Sequence, residues 1–401
     1  MRYGSKKTKC FIVIMIMFIM SLEVFLAVDV RAEGKDEQSQ VLDEQLNTDD
    51  VRKIENQLRQ HTSTDFKQIM PEFDPKSIMS DAAKGKFELN ISSIVNRVLR
   101  YLFKEIYTNI DLLIKLMVIV VFCSILKNLQ TSFLSESVGE MAFYACYVVI
   151  VSILVLSLNT ALGLGREIID SMVAFMHSTI PVLVTLMVSG GNVATGGVLQ
   201  PVLIMIVEVA AAIFKNLFLP LIFLVSVLSI VDNISDKVQI SKLTGFIKQI
   251  NTWCMGIILT VFVAIVGLQG SLGAVVDGVT SKTAKFAIGA FVPVAGKYLA
   301  DAADTVIGCT LLIKNAAGVA VMVGIIGICL VPLLKIFALI LLYRITCVLI
   351  EPISEKRITN CITEMANSLM HILGIAASVA FMFLLSITAI VSASNISAMI
   401  R

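Results

Sequence analysis

Lys297, Asp301 and Asp304 fall within the stretch FVPVAGKYLADAADTVIG, residues 291–308, in a half of the chain otherwise dominated by apolar runs. Their i, i+4, i+7 spacing puts an ammonium and two carboxylates on one face of a helix. Pro293 and Gly296 just before them predict a break or turn, so the stretch reads as a re-entrant element whose second half carries its charges inward. Ionisable groups at membrane depth are costly and are kept where they meet one another, water or a passing solute. The alternative is a surface loop with solvated charges, since Asp277, Lys282, Lys285 and Lys314 lie close by in sequence.

Glu208 and Lys215 are seven residues apart and share a helical face within the apolar run 198–231. They are the best buried-pair candidates of the first half, with snorkelling of Lys215 to an interface as the competing account. Lys335 and Arg344 stand in the same position in the run 316–350. Lys297, Asp301, Asp304, Glu208 and Lys215 are therefore the candidate conduit or partner-contact residues. Pro181, Pro220, Pro293, Gly296 and Pro332 are the candidate helix breaks.

The enzyme classes these residues suggest fail on spacing. Ala295-Gly296-Lys297 lacks the first glycine of a P-loop, since position 291 is Phe, and Tyr298 replaces the hydroxyl that would hold magnesium. HExxH and GxSxG are absent. An intramembrane aspartyl protease needs two aspartates on facing helices, whereas Asp301 and Asp304 share one. The chain has 3 His, scattered, and no CxxC pair. No catalytic residue, cofactor or metal is expected.

The elements that must hold these residues are set by an extreme composition. The 401-residue chain is 57% hydrophobic and 15% charged, which implies an all-α polytopic membrane protein. A net charge of +2 without a basic block excludes a nucleic-acid partner. Residues 1–32 have a basic start, a short apolar run and Val30-Arg31-Ala32, the pattern of a signal peptide cleaved after Ala32. Residues 33–109 form an exported segment with 14 acidic and 11 basic residues, most of it too polar to bury a sizeable core. Within it, residues 33–50 read as a disordered acidic linker and Val51–Gln60 as a short polar helix. Ile91, Val95, Val98, Leu102 and Ile106 then form an amphipathic helix that either lies at the membrane interface or packs on the membrane domain.

The membrane domain, residues 110–401, has clear spans at Ile110–Leu126, Met141–Leu162, Ile250–Leu268 and Ala366–Val391. Two longer runs interrupted by proline and charge raise the expected number to about six to nine membrane helices, broken or re-entrant elements included. Matching prolines at an offset of 112 (293 − 181 and 332 − 220) and similar Ser-acid-Lys loops at Ser235 and Ser354 predict an internal repeat, residues 172–269 and 284–393, parallel or inverted.

The run Gly267-Leu268-Gln269-Gly270-Ser271, through Asp277 and Lys282 to Val292-Pro293-Val294-Ala295-Gly296-Lys297-Tyr298-Leu299 and Asp304-Thr305-Val306, resembles the stage III sporulation protein AE family of endospore-forming bacteria. The resemblance extends over essentially the whole chain. It implies a non-enzymatic, permease-like subunit of a channel or secretion complex between mother cell and forespore, required for sporulation. It further implies multi-pass insertion in the mother-cell (outer forespore) membrane, and partners encoded with it, an ATPase among them, together with a forespore membrane protein. Read without the resemblance, the residues leave two other functions open. One is a stand-alone secondary transporter binding a small solute near Lys297, Asp301, Asp304 and Glu208; the other is a non-conducting scaffold.

Overall fold

The computed structural model describes residues 46, 48–87, 90–133, 136–233, 240–291 and 296–400, with backbone only at 128–133, 136–140, 142, 199, 269–275, 281, 284–291, 296–304 and 394–400. The expected signal peptide, its cleavage at Ala32 and most of the acidic linker lie outside the described residues. Every described element is helical, because a backbone surrounded by apolar side chains and lipid must satisfy its amides within the helix itself.

The polar segment forms α1 (Asp49–His61), α2 (Phe66–Ile69) and α3 (Pro75–Ala83). In α1, Val51, Ile54 and Leu58 make a buried stripe while Arg52, Lys53 and Arg59 stay exposed. The Asp74 side chain caps α3 by accepting from the Ser77 amide, with Pro75 in the first turn where its missing N–H costs nothing. Amphipathic α4 (Ile91–Thr108) meets α5 (Ile110–Phe133) at a bend of 43°. Of the stripe read from sequence, Leu102 is buried and Val98 and Ile106 pack on the core, while Ile91 and Val95 are exposed. That face therefore both packs on the membrane helices and leaves an apolar edge outside.

The membrane half is built from α6 (Glu136–Ser189), α7 (Val193–Ile213), a π turn (Phe214–Phe218), α8 (Leu219–Asp232), α9 (Ser241–Phe291), α10 (Gly296–Ile350) and α11 (Lys356–Ile400). At ~1.5 Å per residue, α6, α9, α10 and α11 are each about 65–80 Å long, more than twice the hydrocarbon thickness. α10 is the axis, since no residue from Cys309 to Tyr343 is exposed. α11 and α6 flank it and bury long apolar stripes of their own.

Two expectations change here. Among the described residues, five helices are long and apolar enough to cross a membrane, or six when the bent α4–α5 pair counts as one span. Five lies below the expected six to nine and six is its lower bound, because α6 and α10 run uninterrupted through Pro181 and Pro332. A helix held on several sides by neighbours tolerates the lost hydrogen bond that would end an isolated one. At Pro220 the helix does change register. The π turn precedes it, and the Leu219 amide reaches back to the Phe214 carbonyl.

The polar segment also shares a core. A Cβ at Gly324 of α10 would collide with Leu58 Cδ2, and one at Gly327 would stand 2.9 Å from the Phe66 ring. His61 meets Phe175 of α6 edge-on, with ring centroids 5.7 Å apart. Residues too polar to fold around themselves thus insert Leu58 and Phe66 into notches left by glycine on α10. Each such burial is worth about 1.5–3 kcal/mol in transfer free energy.

Candidate functional site

Along α6 the exposed surface changes character part-way. Met141, Val148 and Leu156 face outward in the N-terminal part. Beyond Leu156, no large apolar side chain is exposed until Val188. The exposed positions between them include Asn159, Arg166, Asp170 and His177, which fall on one line at steps of seven, four and seven. Glu167 and Thr185 widen it. This polar strip is about 39 Å long and is backed by the fully buried Met172 and Phe175. His61 of α1 sits against Phe175, so the polar segment borders the strip.

Lys215, on the π turn, donates to Asp170 Oδ1 at 2.5 Å and so joins the α6 strip. Its expected partner, Glu208, is exposed on α7 instead. Seven residues along a helix is a rise of about 10 Å, whereas the helix–helix contact brings Asp170 within bonding distance. Both members of the Lys215–Asp170 pair remain substantially exposed, so the pair orients the strip more than it stabilises the fold.

Lys297, Asp301 and Asp304 occupy the first three turns of α10, where helical backbone from Gly296 keeps them on one face. Their side chains, and Pro293 itself, lie outside the described residues. Lys314, expected among the solvated charges around that stretch, is instead fully buried and donates to the Val391 carbonyl of α11 at 3.0 Å.

Charged groups outside the candidate set hold the bundle together. Asp277 of α9 is 3% exposed and accepts from the Ala194 and Thr195 amides at 2.8 and 2.9 Å. It satisfies two orphan donors at the start of α7 and places negative charge at the positive end of the helix dipole. Gly191, at φ 82°, makes the left-handed turn that lets α7 start there. Lys248 of α9, also buried, pairs with Glu364 of α11 at 2.7 Å. Asn367 continues from Glu364 at 3.0 Å and receives Arg344 of α10 at 2.7 Å. Lys335 of α10 and Tyr101 of α4 both donate to Asp65 at 3.3 Å, tying the polar segment to the axis.

The only sequence signal for Asp170 was Arg166-Glu167-x-x-Asp170 between two apolar stretches. Nothing in sequence pairs Lys248 with a residue 116 positions away. Among the described residues, no three His, Cys, Asp or Glu side chains are placed to hold a metal ion. The chemistry the strip offers is hydration and charge along a helix flank.

The sequence profile of the stage III sporulation protein AE family matches residues 73–394. The chain belongs to that family. It is similar to stage III sporulation protein AE of Bacillus subtilis (strain 168), 30% identical over 356 residues that make up 89% of this chain and 88% of that protein. No solved structure matches it. The profile takes in the α6 strip, the Lys215–Asp170 pair, Asp277 and the Lys248–Glu364 pair, and it starts after α1 and α2. The family description names a stage of sporulation and no reaction.

Proposed function

We propose that the protein is the permease-like, non-enzymatic membrane subunit of a channel or secretion complex between mother cell and forespore. In this reading it sits in the mother-cell (outer forespore) membrane, with its N-terminal segment exported after cleavage at Ala32. An ATPase encoded with it and a forespore membrane protein complete the complex. Family membership and the multi-pass architecture support the reading. The observation that carries it is the α6 strip, because an apolar helix that exposes only polar and small side chains for about 39 Å is shaped to face water. Lys297, Asp301 and Asp304 are proposed to extend that path or to meet a partner at the start of α10.

Cysteines at Asn159, Glu167 and His177, probed in sporulating cells with a charged, impermeant maleimide, test it. Labelling is expected at all three, together with loss of a late forespore expression reporter. Protection of all three, or full labelling with undiminished expression, overturns the conduit role of the strip. Solute uptake by the purified protein alone in vesicles would replace this reading with that of a stand-alone transporter.

A further inference from the structure

We propose that a buried polar seam between α8, α9 and α11 is a water path held closed by the Lys248–Glu364 ion pair. The seam is lined from three sides. α8 contributes Ser226 and Ser229, three residues apart on one face; α9 contributes Lys248 and Asn251 at the same spacing; α11 contributes Glu364, Ser368 and Ser378. Contacts between the helices set them against one another. The Lys248 ammonium donates to Glu364 at 2.7 Å and to the Ser229 hydroxyl at 3.4 Å, and the Ser378 hydroxyl reaches the Met255 sulfur at 3.4 Å.

Exposure falls sharply at the pair. The Glu364 side chain is 40% exposed and that of Lys248 only 6%. Beyond them Asn251 and Ser226 are each 2% exposed, Ser378 1% and Ser368 0%. Lys248 lies about 10 Å along α9 from its start at Ser241. Water therefore reaches the carboxylate near the end of the bundle and stops at the ammonium.

The residues behind the pair are not all suited to staying dry. Ser226, Ser368 and Ser378 donate their hydroxyls to carbonyls of their own helices, which a dry seam allows. The Asn251 carbonyl oxygen is buried and has no partner. A buried acceptor left unpaired costs free energy that an entering water returns. Gly374, one turn before Ser378 on the same face, leaves room for it, since a Cβ there would meet nothing within 4 Å. Against that cost stands the latch. Asn367 donates to Glu364 at 3.0 Å and receives Arg344 of α10 at 2.7 Å, so α9, α10 and α11 all hold the carboxylate opposite Lys248.

The test uses the full chain in membrane vesicles of both orientations with a small, impermeant thiosulfonate, read site by site by mass spectrometry. Ser226→Cys and Ser368→Cys are expected to be protected while the ion pair is intact. Glu364→Gln, which leaves a buried cation unpaired, should raise labelling of both by about tenfold or more. Exchanging the charges, with Lys248→Glu and Glu364→Lys together, should restore protection, and adding Asn251→Leu to Glu364→Gln should lower the labelling again. Ala366→Cys, buried on the opposite flank of α11, should stay protected throughout, which separates opening from unfolding. Labelling of both seam sites with the pair intact, protection that survives Glu364→Gln, or equal labelling of Ala366→Cys overturns the closed path. Undiminished labelling after the charge exchange overturns the ion pair as its latch. None of these outcomes bears on labelling of the α6 strip, so the two proposals fail separately.

Discussion

α6 and α9 are nearly equal in length, 54 and 51 residues, and similar in hydropathy across their candidate spans, yet their outer surfaces are opposite. α6 puts its apolar side chains inward beyond Leu156 and shows a polar strip; α9 buries Lys248 and Asp277 and shows an apolar ridge. Hydropathy averages around a helix and is blind to which side a residue takes. What separates the two helices is their neighbours. α6 lies against α10, which is covered from Cys309 to Tyr343, and is bordered by the polar segment, whereas α9 is packed on one side only and spends its buried polar groups on contacts with α7 and α11.

The largest effect expected from breaking this contrast is at the inner side of α9. Asp277→Ala strands the buried Thr195 amide and the part-buried Ala194 amide at the start of α7, the first alone worth about 1–3 kcal/mol. A fall in the thermal midpoint of the detergent-solubilised protein would register it, with Asp277→Asn recovering part of the loss. An Asp277→Ala protein as stable as the parent would show that α9 does not depend on this cap.

Next is the plug beside the α6 strip. Leu58→Ala empties the Gly324 notch and is expected to cost about 2–4 kcal/mol, mostly as release of α1–α3. Faster protease cleavage within residues 49–83, with the long helices still protected, is the expected result. Cleavage spread evenly over the chain would instead mean that the segment and the bundle unfold together.

On the strip itself, stability and function should part company. Asp170→Lys removes an exposed ion pair and is expected to change stability by less than about 1 kcal/mol while suppressing the late forespore reporter. Exchanging the two charges, with Asp170→Lys and Lys215→Asp together, should restore part of it. Equal loss of stability and reporter would make the pair a structural contact.

The smallest effect is a pH dependence of the plug. Burial against Phe175 lowers the pKa of His61 from the ordinary 6.5, so the docked segment favours the neutral imidazole. Above pH 6.5 both docked and released segments are neutral and docking is at full strength. As pH falls below 6.5, the released segment takes up a proton that the docked one resists, and docking weakens. Protease sensitivity of residues 49–83 should therefore rise on acidification in the parent and stay flat in His61→Gln. Parallel curves would remove His61 from the account.

Much of the fold was legible in the residues. The apolar runs, the short helix at Val51–Gln60 and the amphipathic stripe at Ile91–Ile106 all follow from periodicity, which local backbone geometry enforces. The candidate site was legible only in part. Lys215 was paired with Glu208 in sequence but bonds Asp170, which is 45 positions away, since sequence spacing reports only neighbours on the same helix. Pro181 and Pro332 were read as breaks because proline's cost is computed for a lone helix. The surface-loop alternative counted Lys314 among the solvated charges, whereas its burial depends on α11, which contributes the Val391 carbonyl.

The sequence by itself determined an all-helical membrane chain, its membership of a sporulation family and the absence of recognisable catalytic signatures, because composition, period and motif are properties of neighbouring residues. Only the tertiary structure decided which flank of each long helix meets water, lipid or another helix. Gly324 and Gly327 are unremarkable small residues until Leu58 and Phe66 arrive from more than 250 positions away in the chain to fill the space above them.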